Sequence, residues 1–172
     1  MYGTSPIELL ATDAMMQGLI YCQNYVYSAQ WIAGTTFALG ANQTVDFTTQ
    51  INGDSDFIIQ QINLVAMEDV DTPITDPDYL IQISIGGSAR QLFDRPISVN
   101  ALFGNYLTDK VPGSLPFPYL VEMNNNLLAS LTNRTGDAAN RVDLVYNGFR
   151  VFYQGAAAPS ELRKSIFKKY IS

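Results

Sequence analysis

The chain has 172 residues, a formal net charge of −6 and a charged fraction of 15%, well under the ~25% usual for soluble domains. It contains no histidine, which removes the usual general base, the Ser-His and Cys-His nucleophile pairs, and nearly all zinc and non-haem iron sites. No run approaches the ~18 apolar residues needed to cross a membrane, and Cys22 is the lone cysteine, which excludes an internal disulfide. The start MYGTSPIELL lacks the basic stretch of a secretory signal, so a reducing compartment is the simpler expectation. The length suits one domain with a real core.

Charge is unevenly spread. No Lys or Arg precedes Arg90, whereas Glu8, Asp13, Asp46, Asp54, Asp56, Glu68, Asp69, Asp71, Asp76 and Asp78 all do. The tail carries Arg163, Lys164, Lys168 and Lys169 against Glu161 alone. An acidic front and a basic tail attract each other within a chain or between copies. A nucleic-acid partner needs a larger basic face than this, and no membrane partner is expected of so short a basic tail.

Along the chain, Ile7, Leu10, Ala11, Ala14, Met15, Gly18 and Leu19 follow a helical rhythm, with Pro6 where a first turn tolerates it. Gly18 weakens the end of that helix. YCQNYVYSAQW, Tyr21 to Trp31, reads as an extended aromatic arm entering the first strand. Alternation then takes over: Val45, Phe47, Thr49 and Ile51 share one side, and later Tyr79, Ile81, Ile83 and Ile85 do. DFIIQQINLVA is apolar on both parities, as a strand deep in a sandwich would be. LVEM, NLLASL and RVDLVYNGFRVFY are further strand-like runs, the last with a bulge or bend expected at Gly148.

The stretch from Asn100 to Pro118 reads as a long functional loop, punctuated by Gly and Pro around Phe103, Tyr106 and Phe117. After GAAAP, Ser160 caps a short helix in which Leu162, Ile166, Phe167, Tyr170 and Ile171 form an apolar stripe. The organisation predicted is an N-terminal arm over residues 1–32, a β-sandwich core over 33–154, and a linker with a basic amphipathic helix over 155–172.

Three constellations invite chemistry. Asn52, Asp54 and Asp56 alternate like calcium ligands, but the glycine comes second and no glutamate follows at the required place. Asn-Gly is instead a strong hairpin-turn signal, and a turn is the expectation here. The acids Glu68, Asp69, Asp71, Asp76 and Asp78 carry enough oxygen for a divalent ion, yet two Thr/Asp-Pro turns favour a solvated loop. IGGSAR, Ile85 to Arg90, lacks the Lys-Ser/Thr of a phosphate loop and reads as a hairpin turn. Asn42 and Asn133 match the glycosylation pattern. Cys22 reads as a small buried hydrophobe, having no basic neighbour to lower its pKa. No metal or cofactor is expected, and no pair of acids is marked out for sugar hydrolysis.

The order of NYVYSAQW, INGDSDFIIQQI, IQISIGGSARQLFDRPISVNALFG, LPFPYLVEMNNNLLASLTNRTG and VDLVYNGFRVF, spanning Tyr25 to Tyr153, resembles small β-sandwich decoration, or cement, proteins of tailed bacteriophage virions. The resemblance rests on order and spacing. It implies an all-β, antiparallel, jelly-roll-like sandwich, no catalysis, and self-association, often as trimers, on a capsid or related virion surface after assembly in the host cytoplasm. The partners it implies are further copies of the chain and the major capsid protein or another virion protein.

Three parts are expected to make contacts. The Ile7 to Trp31 arm, with Leu10, Met15, Tyr25 and Tyr27, reaches a neighbour. The Asn100 to Pro118 loop packs at the oligomer axis or capsid. The tail, with Arg163, Lys164, Phe167, Lys168 and Lys169, docks on an acidic surface. The alternatives are a neck, collar or tail ring or fibre-anchoring protein, and a carbohydrate-binding β-sandwich using exposed aromatics such as Trp31 and Tyr106.

Overall fold

Alternating sequence becomes strand almost throughout. The computed structural model describes residues 6–33, 38–68, 72–74, 78–86, 90–103 and 113–154. In chain order these hold α1 (Pro6–Met16), β1 (Ile20–Ile32), β2 (Thr44–Gln50), β3 (Asp56–Met67), β4 (Tyr79–Ile85), β5 (Arg90–Gln91), β6 (Ile97–Ser98), α2 (Val99–Phe103), β7 (Gly113–Val121), β8 (Asn126–Asn133) and β9 (Arg141–Tyr153).

The strands form two antiparallel sheets. One runs β1-β9-β3-β7; the other runs β2-β8-β4-β5, with β6 beside β5 on the same edge of β4. The pairing is nested: β1 takes β9, β2 takes β8, β3 takes β7, and β4 takes β5 and β6. The long double-backed ribbon is then rolled up, because β9 also pairs β3 and β8 also pairs β4. Inward side chains of both sheets, among them Phe47, Phe57, Ile62, Ile81, Ile83, Leu131, Leu144 and Tyr146, share one buried cluster.

A second, smaller cluster lies on the outer face of the first sheet. There Ala11 and Ala14 of α1 meet Ile20, Ile58 and Val151. This explains why the first part of β3 is apolar on both parities: Phe57 and Ile59 face the main core while Ile58 lies under the helix. Gly18 ends α1 rather than weakening it. Its φ of 68° is left-handed, its N–H reaches the Met15 carbonyl, and the Leu19 N–H reaches the Ala14 carbonyl, both at 2.9 Å. These are the two bonds of a Schellman cap.

Two expectations are corrected here. Residues 20–32 are not a detached arm but a full edge strand, paired with β9 from Ile20↔Tyr153 to Ile32↔Arg141. The physical reason is the alternation of Tyr25, Tyr27, Ala29 and Trp31, all of which pack on the main core. The expected long loop from Asn100 to Pro118 is in part ordered: α2 takes its start and β7 its end. β7 is an edge strand, and Pro116 and Pro118 lie between Ser114 and Tyr119, where it has no register partner on β3, so their missing N–H groups cost no ladder bond there. Its register with β3 jumps, from Ile59↔Tyr119 to Gln61↔Ser114. The linker and tail helix expected over residues 155–172 lie outside the described residues.

Gly148 stands where three strands meet, paired with Tyr25 of β1 and Ile59 of β3. The irregularity sits on β3, between Ile59 and Gln61. A Cβ on Gly148 would fall on the Ile58 carbonyl oxygen, a backbone atom that cannot rotate away. Gly148→Ala is therefore expected to cost about 3 kcal/mol or more, as overpacking against fixed atoms does. Gly18→Ala, where nothing lies within 4 Å, should cost only the left-handed conformation, about 1–2 kcal/mol. Urea unfolding of the two variants measures the contrast; equal losses would refute the close-approach argument.

Candidate functional site

The turn between β2 and β3 is densely hydrogen-bonded. It does not close a hairpin, since β2 and β3 belong to different sheets. Its Asn-Gly step turns the chain from one layer to the other. A Cβ on Gly53 would collide with the Asn124 side chain, so the turn sits tightly on the neighbouring turn, where Asn124 itself has a φ of 62°.

The carboxylates of Asp54 and Asp56 accept from protein donors. Arg150 of β9 donates from Nη2 to Asp54 Oδ1 and, at 2.7 Å, from Nε to Ser55 Oγ. Asp56, fully buried, accepts the Met123 N–H at 2.8 Å and the Tyr153 hydroxyl. The Asn52 N–H donates to the Tyr27 hydroxyl at 3.2 Å. No group of three or more acidic or cysteine ligands suited to a metal occurs among the described residues. This cluster is a structural clamp.

Arg150 is held on its faces as well as its edges. Its guanidinium carbon lies 5.0 Å from the Tyr25 ring centroid and 4.7 Å from that of Phe152, within cation–π range. Phe152 in turn meets Tyr21, their centroids 5.8 Å apart. The largest effect on Asp54 is its hydrogen bond from Arg150, which holds the carboxyl below its ordinary value.

The residues singled out in the sequence separate into three groups. Tyr25 and Tyr27 pack with tilted rings, 4.8 Å apart; Tyr27 is buried and Trp31 half-buried against the core, so the Tyr27 side chain is committed to the core. Met15 is 43% exposed at the end of α1. Ile7 and Leu10 lie on α1, Phe103 on α2 and Phe117 on β7, but their side chains lie outside the described residues. So do Tyr106, Arg163, Lys164, Phe167, Lys168 and Lys169.

Of the acidic loop, Glu68 and Asp78 are described. Asp78 pairs loosely with Arg134 at 3.9 Å, and the Glu68 carbonyl accepts from the Asn140 amide. Asn133 is fully buried, donating to the Leu39 and Asp137 carbonyls and accepting from Thr135. Its amide nitrogen has no room for a glycan. Asn42 is exposed in a left-handed turn.

The outer face formed by β2 and β8 carries one charged residue, Asp46. Thr44, Asp46, Thr48 and Gln50 stand opposite Thr132, Ser130, Leu128 and Asn126. The Thr44 and Thr132 hydroxyls bond across the strands at 2.8 Å, and Ser130 donates to Asp46. Leu128 alone brings exposed apolar surface to this face.

No known protein family and no curated protein matches the chain. Among solved structures, it is similar to the ANXUR1 extracellular domain from Arabidopsis thaliana, at 14% identity and a TM-score of 0.34 over 75% of this chain and 31% of that one. It is similar to the plant receptor-like kinase ANX2, at 10% identity and 0.32 over 81% and 41%. A third likeness is to dimeric latent PorU from Porphyromonas gingivalis, at 13% identity and 0.29 over 76% and 13%. The chain thus spans less than half the length of each of these three structures, and the likenesses are too loose to carry a functional argument.

Two outcomes follow from the clamp and its neighbour Cys22. Because Arg150 lowers the Asp54 pKa, the stability it brings is present above the unfolded carboxylate value and is lost as pH falls through the folded one. Thermal unfolding should therefore show the native chain above Asp54→Asn at about pH 7, with the gap closing by about pH 2; a pH-independent gap would rule the charge out. Burial pushes the Cys22 thiol up to about 11 from 9.0. Iodoacetamide labelling near neutral pH should be slower in the folded protein than in urea by on the order of 100-fold, and equal rates would contradict it.

Proposed function

We propose that this chain is a non-enzymatic structural protein of a tailed-phage virion, a capsid decoration or cement protein that self-associates and binds the particle surface. In this reading the fold is a jelly-roll β-sandwich. Supporting it is the strand order: with β5 and β6 counted as one edge strand, β1-β9-β3-β7 and β2-β8-β4-β5 make two four-stranded layers of nested, rolled pairs, the double Greek key of jelly rolls.

The observation that carries the functional part is the hydroxyl- and amide-rich outer face of the second sheet. A broad face with one charge suits extended polar contact with another protein better than it suits a cleft for a small ligand. The basic tail supplies a second contact, complementary to an acidic particle surface. The neck, collar or tail of the virion offers the same kinds of contact. The sugar-binding alternative loses its Trp31 anchor, which packs against the core.

Co-sedimentation with virus particles stripped of this protein tests the proposal. A fixed saturating ratio is expected, and deletion of residues 160–172 should weaken binding about tenfold or more, the effect of losing ~1.4 kcal/mol. A chain that ignores particles at every concentration would overturn it.

A further inference from the structure

The four-stranded sheet ends in β1, a 13-residue strand that pairs with β9 on one side. Among the described residues no strand lies along its other edge. Such an edge is a row of backbone donors and acceptors that another extended chain can satisfy, and proteins ordinarily guard it with charge, proline, bulges or brevity.

The other sheet edges are guarded in those ways. β7 contains Pro116 and Pro118 and an irregular register. β2 has 7 residues and an outward Asp46, while β5 and β6 have 2 residues each. β1, IYCQNYVYSAQWI, has no Asp, Glu, Lys, Arg, Pro or Gly at all, in a chain of net charge −6. Among the described sheet edges it is the one long stretch along which two copies can meet without bringing like charges together.

Exposed apolar side chains collect at the same place. Of the six exposed large hydrophobics described, five lie on the last turn of α1 or on β1: Met15, Met16, Tyr21, Val26 and Ile32. Val26 and Ile32 are 55% and 62% exposed.

We propose that β1 is the self-association edge, pairing antiparallel with β1 of a second copy about a two-fold axis at Val26. This deepens the self-association in the function proposed above and rests on that part of it. Antiparallel pairing is isologous, so one patch serves both partners, and residues of like parity fall opposite each other. Centred on Val26, it sets Val26 against Val26 of the second copy, Asn24 against Ser28, and Ile32 against Ile20. The exposed Ile32 of each copy thereby comes to the strand end that follows Met15 and Met16 of the other. The two four-stranded sheets become one continuous eight-stranded sheet, and the assembly is even-numbered rather than a trimer.

Light scattering on the intact chain at about 100 μM, where a micromolar dimer is nearly saturated, should give twice the 19.0 kDa chain mass. Val26→Lys should return it to the single-chain mass with an unchanged circular dichroism spectrum. Should that variant misfold, Ser28→Lys, an exposed position on the same strand, makes the same test. With Cys22→Ser as background, Val26→Cys should oxidise to a covalent dimer, since directly opposed Cβ atoms lie within disulfide reach. Gln91→Cys, on the far edge of the other sheet, should not.

A monomer at that concentration overturns the pairing, as does a trimer or an oligomer that neither lysine variant disturbs. An intact dimer, cross-linked through Val26→Cys, that ignores virus particles supports the pairing and overturns the virion reading.

Discussion

β9 is the strand to which the rest of the fold is referenced. It pairs with β1 along its whole length and with β3 from Arg141 to Val151, so one register choice sets both neighbours. Its alternate residues Val142, Leu144 and Tyr146 supply the main core, and Phe149 and Val151 the layer beneath α1. At Gly148 the absence of a side chain lets β3 approach closely enough to accommodate its irregularity. Two residues later Arg150 reaches across to the turn before β3 and ties sheet to loop. A slip of one residue would send every one of these groups to the wrong face.

Much of this was legible in the sequence wherever one face of a strand is buried and the other wet. Val45 to Ile51 and Tyr79 to Ile85 alternate cleanly and are strands with the expected sides inward. Less was legible where two structural demands overlap. β1 keeps aromatic residues inward but apolar ones outward too, which blurs alternation into the look of an arm. β3 is apolar on both parities because a helix covers its outer side at one end, a cause that the strand's own residues do not reveal. β7 looked like loop because prolines ordinarily exclude a strand, and only its place at the edge relieves that exclusion.

The turn at Asn52 shows a different limit. Its chemistry announces a reversal of the chain, but a reversal is compatible with returning to the same sheet or crossing to the other. That choice is made by where β8 and β9 lie, far along the sequence. The same distance hid the clamp. Arg150 and Asp54 stand 96 positions apart, and no local pattern links a lone arginine in a late strand to an aspartate in an early turn. What the sequence did expose was the misfit of Asn52, Asp54 and Asp56 to a calcium loop, and the structure gives the two carboxylates protein partners.

Nesting of first strand with last also has a consequence for synthesis. β1 leaves the ribosome with its sheet partner β9 still untranslated; Arg141 follows Ile32 by more than a hundred residues. At bacterial or eukaryotic elongation speeds that interval is on the order of ten seconds. For that time an uncharged, aromatic, proline-free segment is held without its ladder, beside other nascent chains carrying the same segment. Long-range closure of this kind also slows folding after release. The chain's vulnerable moment thus comes before it is complete, and chaperone binding in that window would have β1 as its natural target.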